Sequence, residues 1–335
     1  MKLPVDVKAL VDEATNIEEA LETPIALSVY IDEDTPDDLA AHVRGAFAST
    51  SAKVRMTLSY CKAGEGPHPV PTDDMAVLVA GVSSQVGAWA AQIRAVGVPV
   101  MVVTTMPQIV AGQALEAGHA IPDGDLVYPC VKDATIEQEP FALDDELRAA
   151  LDDRMGRWIV AACNAKRLAF AIAFPFVRRP LANDAVQATA LQNAVIGLVP
   201  FIPGADLPLM TLNQAKMVLQ IAAAYGQAMG KERIKEMIAV VGGGLVFRTL
   251  ARGLIEFVPI LGFLIRPGIG YAGTTAIGFA VIEYFAGGEN LTGVANTITK
   301  ACEAGSKAVS TAADVVGKFA GSADKGEDAE PSAAH

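Results

Sequence analysis

The chain has 335 residues, which is long enough for two domains that each have their own core. Apolar residues make up 52% of the sequence and the mean hydropathy is +0.35, both of which are high for a soluble protein. Residues 1–165 carry 25 acidic and 11 basic side chains, whereas residues 166–335 carry 13 and 15, so the acidic first half argues against binding to a nucleic-acid backbone.

The first half alternates between helical patterns and short apolar runs. Strands are predicted at residues 24–31, 53–60, 75–81, 98–105 and 124–131. A helix with Thr35 as its N-cap is predicted after the first of them. Continuous apolar runs such as AVLVA, residues 76–80, are typical of parallel strands that helices cover on both faces. We therefore expect residues 1–165 to form an acidic α/β domain, a doubly wound, mostly parallel five-stranded sheet closed by a helix at 143–163.

The second half lacks the strand pattern, so we expect an all-α part. An apolar helical bundle is predicted over residues 166–288, a small-residue amphipathic helix over 289–320 and a disordered tail over 321–335. Within the bundle we predict a helix at 211–230 with Thr211 as its N-cap, a helix at 231–257 and a break at 258–268. Residues 267–287 are long and apolar enough for a membrane span, with Glu283 as their one charge. A spanning helix and a buried or peripheral bundle both fit; we expect peripheral membrane association on the cytoplasmic side, since no signal-peptide pattern is present.

The run RPGIGYAGTTAIGFA, residues 266–280, fits two phosphate-binding patterns. Gly268, Gly270 and Gly273 spell G-x-G-x-x-G, and the same stretch is one residue away from a P-loop because Thr274 replaces the lysine. A functional G-x-G-x-x-G follows a strand, whereas this one lies in the helical half. Close helix packing at Gly270, Gly273 and Gly278 therefore explains the glycines better than a nucleotide does.

The loop after the first predicted strand is acidic. Its five carboxylates are Asp32, Glu33, Asp34, Asp37 and Asp38. They would repel a phosphate, and no G-x-x-x-x-G-K-[ST] occurs anywhere in the sequence. The acids fit either a magnesium site at a strand end or the acid-rich start of a helix, whose dipole they favour. We predict the helix start, and no cofactor or metal site.

No catalytic constellation stands out in the sequence. Ser83 and Ser84 lie between a strand and a helix, as in a nucleophile elbow, but the G-x-S-x-G pattern is missing and a helix N-cap accounts for them. The four cysteines include no C-x-x-C, and the four histidines have no ligand-like spacing. This usage indicates buried, reduced thiols and no zinc site.

Arginines in the helical half admit two interpretations. Arg248 and Arg252 are four residues apart, and Glu256 continues the same helix face, which favours an internal ion pair. Alternatively, Arg248 and Arg252 form, together with Arg266, a contact site for an anionic lipid or a protein partner.

Short motifs of the helical half occur in a characteristic order. They are Pro200 and Pro203 around Gly204–Asp206, then Tyr225–Gly226, Arg252, Pro259–Gly262 and Tyr284–Phe285. In this combination residues 185–287 resemble the bacterial helical domain called domain of unknown function 697, as in YcjF-like proteins. That family has no established catalytic residues, so the resemblance implies none here.

The resemblance implies a context for the first half, because such domains often follow a Ras-like or Era-like GTPase domain and many are predicted membrane proteins. Gly81 would stand where the GTPase strand ends in Asp. Thr105 keeps the first position of the guanine-reading N/T-K-x-D, but Met106 and Gln108 replace Lys and Asp. The first half thus resembles a GTPase-related fold without its nucleotide motifs; an independent Rossmann-like domain is the alternative.

We therefore expect a non-catalytic, two-domain protein. Its acidic α/β domain would serve as a docking module, and its helical domain would associate with a membrane, a protein partner or itself, without nucleic acid. Two alternatives stay open: an atypical nucleotide-binding enzyme related to GTPases, and an integral membrane helical hairpin that acts as an anchor or channel.

Overall fold

The computed structural model describes residues 7–62, 64–130, 140–198, 206–227 and 262–287. These residues fall into two compact units. The α/β unit comprises the described residues of 11–184 and 220–227, and the helical unit comprises those of 7–10, 185–219 and 262–287.

The α/β unit is built on a parallel sheet of five strands, as the apolar runs predicted. The strands are β1 (Ile25–Asp32), β2 (Val54–Cys61), β3 (Met75–Val79), β4 (Val100–Val103) and β5 (Leu126–Val127). Their order across the sheet is β2-β1-β3-β4-β5, and every neighbouring pair is parallel. The predicted fold class, a doubly wound α/β sheet followed by a helical part, is confirmed.

Among the described elements, a helix lies between each pair of successive strands except β2 and β3, and after β5 the helices continue alone. They are α1 (Val7–Leu21), α2 (Asp37–Ala46), α3 (Val86–Ala95), α4 (Pro107–Glu116), α5 (Asp145–Ala162), α6 (Arg167–Ala173), α7 (Arg178–Leu198), α8 (Asp206–Ala224) and α9 (Gly262–Ala286). Two short 3₁₀ turns, Asn164–Lys166 and Pro175–Val177, flank α6. Within the described ranges, no helix combines the length and the apolar character that a membrane crossing requires.

Each face of the sheet has its own apolar core, which explains why the central strands are apolar at every position. Val77 and Val79 of β3 point into the core that α2, α5 and α6 cover, whereas Leu78 points into the core beneath α3 and α4. All five residues of β3 are buried. A strand buried on both faces loses the polar–apolar alternation of a half-exposed strand.

The boundary between the domains lies later than the sequence pattern indicated. Phe170 and Phe174, which follow the predicted boundary at residue 165, are fully buried in the first core of the α/β unit. The Phe174 ring meets the Phe47 ring edge-on, with centroids 5.2 Å apart. The boundary therefore moves to about residue 184, because these aromatic side chains complete the sheet's core.

Three helix starts differ from their predicted positions. Thr35 does not cap α2: the helix starts at Asp37, and the Thr35 hydroxyl donates to the Val79 carbonyl instead, at 3.0 Å. Helix α8 begins at Asp206 and so includes Thr211, the predicted N-cap. Helix α9 begins at Gly262, inside the break predicted for 258–268. The predicted helix at 231–257, the amphipathic helix at 289–320 and the tail at 321–335 lie outside the described residues.

Candidate functional site

The topology points to one place for a ligand in the α/β unit. The chain passes from β1 outward to β2 and then returns to the other side of β1 as β3, so the strand order reverses between β1 and β3. In doubly wound sheets, ligands bind in the crevice at the carboxyl ends of the strands at this reversal. We call this place the switch-point crevice: Asp32 ends β1 on one side of it, and residues 80–83 follow β3 on the other.

The carboxylate of Asp32 accepts hydrogen bonds from the backbone N–H groups of the switch-point crevice. One of its oxygens accepts from the N–H groups of Gly81 at 3.0 Å and Ser83 at 3.3 Å, and the other accepts from Asp34 at 3.4 Å. Asp32 is only 1% exposed. Desolvation raises the pKa of this carboxyl above its usual value, and the three amide hydrogen bonds oppose that rise. The N–H groups that would face a bound anion here already have an acceptor from the protein itself.

The backbone of the loop after β1 packs directly against Gly81 in the switch-point crevice. A Cβ atom added to Gly81 would overlap the carbonyl group of Asp34 and lie 2.6 Å from the Thr35 nitrogen. The Thr35 hydroxyl ties the same loop to the end of β3 through the Val79 carbonyl. Gly81 stands where the resemblance implied a lost aspartate, and the structure gives the position a steric requirement: the loop backbone leaves no room for a side chain.

The other acids of this loop do not converge on a common point. One carboxylate oxygen of Asp38 accepts from the backbone N–H of Leu39 at 2.8 Å, and the other accepts from the backbone N–H of Leu143 at 2.9 Å. Asp37 is exposed in the first turn of α2, where the helix dipole favours it. Among the described residues, no three His, Cys, Asp or Glu side chains are grouped so that they could hold a metal ion.

The end of β4, where the resemblance implied a guanine-reading motif, is buried: Thr104 and Thr105 are both 0% exposed. Met106 is 1% exposed and packs into the core beneath α3 and α4, so it takes the place of the expected lysine as a core residue. The Thr104 hydroxyl accepts from the Met106 N–H at 3.0 Å, and Gln108 is exposed on α4. The Thr105 hydroxyl is fully buried and has no hydrogen-bond partner among the described residues.

Ser83 takes part in a local turn. Its hydroxyl accepts from the Gln85 N–H at 3.3 Å, its own N–H donates to Asp32, and α3 starts only at Val86. The Ser83 side chain therefore stabilises a turn before the helix. It is not the predicted N-cap, because α3 begins further along the chain, at Val86.

A pocket of about 470 Å³ lies at the opposite ends of the strands from the switch-point crevice, beside the starts of β1 and β2. Its charged side chains are joined in ion pairs, namely Lys53–Glu22, Arg55–Asp73 and Lys166–Asp74, with N–O distances of 2.6, 2.7 and 2.7 Å. The Asp73 carboxylate is buried and also accepts from the Ser28 hydroxyl at 2.6 Å. These pairs connect neighbouring segments of the fold, so we assign them a structural role.

The structure describes some of the predicted site residues of the helical unit and not others. Arg248 and Arg252 lie outside the described residues, and only the helical backbone is described at Arg266 and Gly270. At Gly278 an added Cβ would overlap a methyl group of Val186 on α7, so α9 and α7 approach closely there. At Gly273 no described atom lies within 4 Å of such a Cβ, so the predicted packing role of Gly273 stays a prediction.

A buried polar cluster joins three helices of this unit, and the sequence analysis did not identify it. The Thr274 hydroxyl accepts from Asn193 of α7 at 2.9 Å and from Gln214 of α8 at 3.0 Å. Asn213 donates to the Asn193 side-chain carbonyl at 3.0 Å. The sequence feature that could have predicted this cluster is the presence of amide side chains in otherwise apolar helices. Buried amide groups normally have hydrogen-bond partners, so several of them indicate contacts between helices.

Apolar side chains are exposed on three helices of the helical unit, and Leu209 on α8 is one of them. Leu191 and Val195 are 62% and 52% exposed one turn apart on α7, and Tyr271 and Phe279 are exposed two turns apart on α9. Exposed apolar groups at helical spacing suit contact with a partner or a membrane surface.

The chain matches no family model, no curated protein and no solved structure. The resemblance of residues 185–287 to domain of unknown function 697 therefore stays a prediction.

Proposed function

We propose that this protein is non-catalytic: its α/β unit is a docking domain with a closed nucleotide position, and its helical unit associates with a membrane surface or a protein partner. The observation that carries the proposal is the Asp32 carboxylate on the Gly81 and Ser83 amides. A phosphate would have to displace a buried carboxylate and the loop backbone packed on Gly81, and it would meet further acids around the loop.

A further observation supports the same proposal. The position that the resemblance assigns to guanine reading carries Met106, whose side chain belongs to the core and presents no charge to a ligand.

Nucleotide titration of the purified full-length chain tests the closed crevice. Fluorescent GTP and ATP analogues, each with magnesium, are expected to give no saturable binding up to about 1 mM, because the amide donors are already taken. Saturable binding at micromolar concentration would refute the proposal if Asp32→Asn changes that affinity while Asp123→Asn, in an exposed loop, leaves it unchanged.

The role of the helical unit is proposed from its exposed apolar side chains. Leu191 and Val195 would dock on the headgroup and acyl-chain boundary of a bilayer or on an apolar partner surface. Few charges accompany them: Lys216 and Glu283 are the charged side chains described in this unit beyond residue 184, so apolar burial would supply the affinity.

Flotation with phosphatidylcholine vesicles, with and without phosphatidylserine, tests the membrane part of the proposal. We expect the full-length chain to float with both, and Leu191→Ser with Val195→Ser to reduce the floating fraction several-fold because about two apolar anchors are lost. Leu115→Ser, an equally exposed leucine of the α/β unit, is the matched control. A chain that stays at the bottom of the gradient with both vesicle types rules out membrane docking and leaves the protein partner.

A further inference from the structure

Helix α7 buries a polar side chain and exposes two large apolar ones. Asn193 is 0% exposed, whereas Leu191 and Val195, two residues before and two residues after it, are 62% and 52% exposed. Successive residues of an α-helix are about 100° apart, so both apolar side chains point about 160° away from Asn193. Proteins usually place polar side chains outside and apolar side chains inside, and this part of α7 does the reverse.

Apolar burial alone does not favour the observed rotation of α7. The inward side of the helix carries Val186 and Ala190 together with Asn193, all 0% exposed, while Leu191 and Val195 lie in contact with solvent. A rotation by about half a turn would bury a leucine and a valine in place of an alanine and an amide, and so would remove more apolar surface from water. Another interaction must therefore hold α7 in the observed rotation.

The hydrogen bonds of Asn193 supply that interaction. Its amide group donates to the Thr274 hydroxyl at 2.9 Å and to the Met210 carbonyl at 3.4 Å, and its side-chain carbonyl accepts from Asn213 at 3.0 Å. These partners lie on α9 and α8, so Asn193 is bonded to two other helices. Turning Asn193 outward would break the three bonds, and a buried polar group such as the Thr274 hydroxyl is costly when it loses a partner.

A steric contact between α7 and α9 fixes the same rotation. Gly278 lies four residues after Thr274, on the same face of α9, and a Cβ atom added there would overlap a methyl group of Val186. Val186 lies seven residues, about two turns, before Asn193 on the inward face of α7. The polar contact and the close apolar contact therefore bring together the same two helix faces, and a rotation of α7 would disrupt both.

We propose that the hydrogen bonds of Asn193 set the rotation of α7 and thereby hold Leu191 and Val195 outward for docking. Asn193 and Thr274 are buried, so they are positioning residues that act on docking only through the two exposed side chains. Because docking of the helical unit is itself proposed, this role of Asn193 rests on the proposed function. It specifies which residues determine the side chains that the helical unit presents to a membrane or a partner.

Maleimide labelling of a cysteine reporter, Ala188→Cys, measures the rotation of α7 in the full-length chain. Ala188 is exposed and lies two turns before Val195 on the outward side, and peptide mass spectrometry separates the reporter from the native cysteines. Thr274→Val removes the hydroxyl and keeps the shape of the side chain, whereas Thr274→Ser keeps the hydroxyl. We expect Thr274→Val to slow labelling several-fold, because Asn193 loses a partner and the apolar side of α7 turns inward. Thr274→Ser should label like the reporter chain without a second change.

Gln214→Leu is the matched control. The Gln214 amide also donates to the Thr274 hydroxyl, at 3.0 Å, but this bond joins α8 to α9 and not to α7, so its loss should leave the labelling rate unchanged. Asn213→Leu removes the other side-chain partner of Asn193 and should slow labelling. It gives a second route to the same result if Thr274→Val does not fold, which circular dichroism checks.

The direction of the change separates rotation from unfolding, because rotation lowers the labelling rate and unfolding of the helical unit raises it. A rate that is unchanged or higher in folded Thr274→Val and Asn213→Leu overturns the proposal, and so does equal slowing by Gln214→Leu.

Flotation with phosphatidylcholine vesicles relates the rotation to docking. If the wild type floats, the variants that label slowly should float several-fold less, and slowly labelled variants that float as well as the wild type overturn the proposed link to docking. A wild type that does not float refutes membrane docking in the proposed function, while the labelling rates still decide whether Asn193 sets the rotation of α7.

Discussion

The substitution Gly81→Ala directly tests whether the loop after β1 fills the switch-point crevice. The new methyl group would overlap the Asp34 carbonyl and approach the Thr35 nitrogen to 2.6 Å. Both neighbours are backbone atoms, and the Thr35 hydroxyl fixes this loop to the Val79 carbonyl. The loop therefore cannot yield as a flexible side chain would, and the substitution must shift either the loop or the end of β3.

The expected cost follows from overpacking in a buried site. Inserting a methyl group into well-packed structure costs about 1–3 kcal/mol. A shift of the loop would also lengthen the bonds from Gly81 and Ser83 to Asp32, and each buried donor left unsatisfied costs about 1–3 kcal/mol. We therefore expect Gly81→Ala to lower the free energy of unfolding by about 3 kcal/mol.

Urea denaturation followed by tryptophan fluorescence measures this change, because both tryptophans, Trp89 and Trp158, lie in the α/β unit. Gly112→Ala is the matched control: Gly112 is inside α4, and an added Cβ meets no atom within 4 Å. That change should stabilise the protein by about 1 kcal/mol, since alanine is a better helix former than glycine. If Gly81→Ala unfolds at the same urea concentration as the wild type, or is shifted in the same direction as Gly112→Ala, the crevice is not closed as described.

Three further predictions concern pH, thiol reactivity and the helical unit. Burial raises the pKa of the Asp32 carboxyl above 3.8, so the folded state binds the carboxyl proton more tightly than the unfolded chain does. The stability that this proton contributes is lost as the pH rises through the raised pKa. Denaturation at several pH values should therefore show that Asp32→Asn gains stability relative to the wild type as the pH rises above 3.8. Burial raises the pKa of Cys61 to about 11 and that of Cys163 to about 12. Iodoacetamide at pH 8 should therefore label the exposed Cys130 in the native protein, and should label Cys61 and Cys163 only after denaturation. Peptide mass spectrometry identifies the labelled cysteines. Asn193→Ala removes an amide that bonds to two other helices and should lower the stability of the helical unit by about 2 kcal/mol, measured by thermal circular dichroism; an unchanged melting temperature would contradict a structural role for the polar cluster.

The alternation of apolar runs and helical patterns was sufficient to predict the parallel sheet. Strands such as β3 are buried on both faces, so they read as continuous apolar segments, and the helices between them carry their own periodicity. The domain boundary was harder to predict, since Phe170 and Phe174 lie in a helical segment that resembles the rest of the second half. Their assignment to the α/β unit depends on contact with Phe47, which is distant in sequence.

The sequence by itself determined that the loop after the first strand is acidic and that no P-loop motif occurs. It also determined that Met106 and Gln108 stand at the positions where the resemblance to GTPases implied Lys and Asp. Only the tertiary structure decided what those positions do instead, because hydrogen bonds between Asp32 and Gly81 depend on how strands distant in sequence are ordered in the sheet. The same holds for β2. Its alternation of apolar and polar residues is visible in the sequence, but only the strand order places β2 at the edge of the sheet.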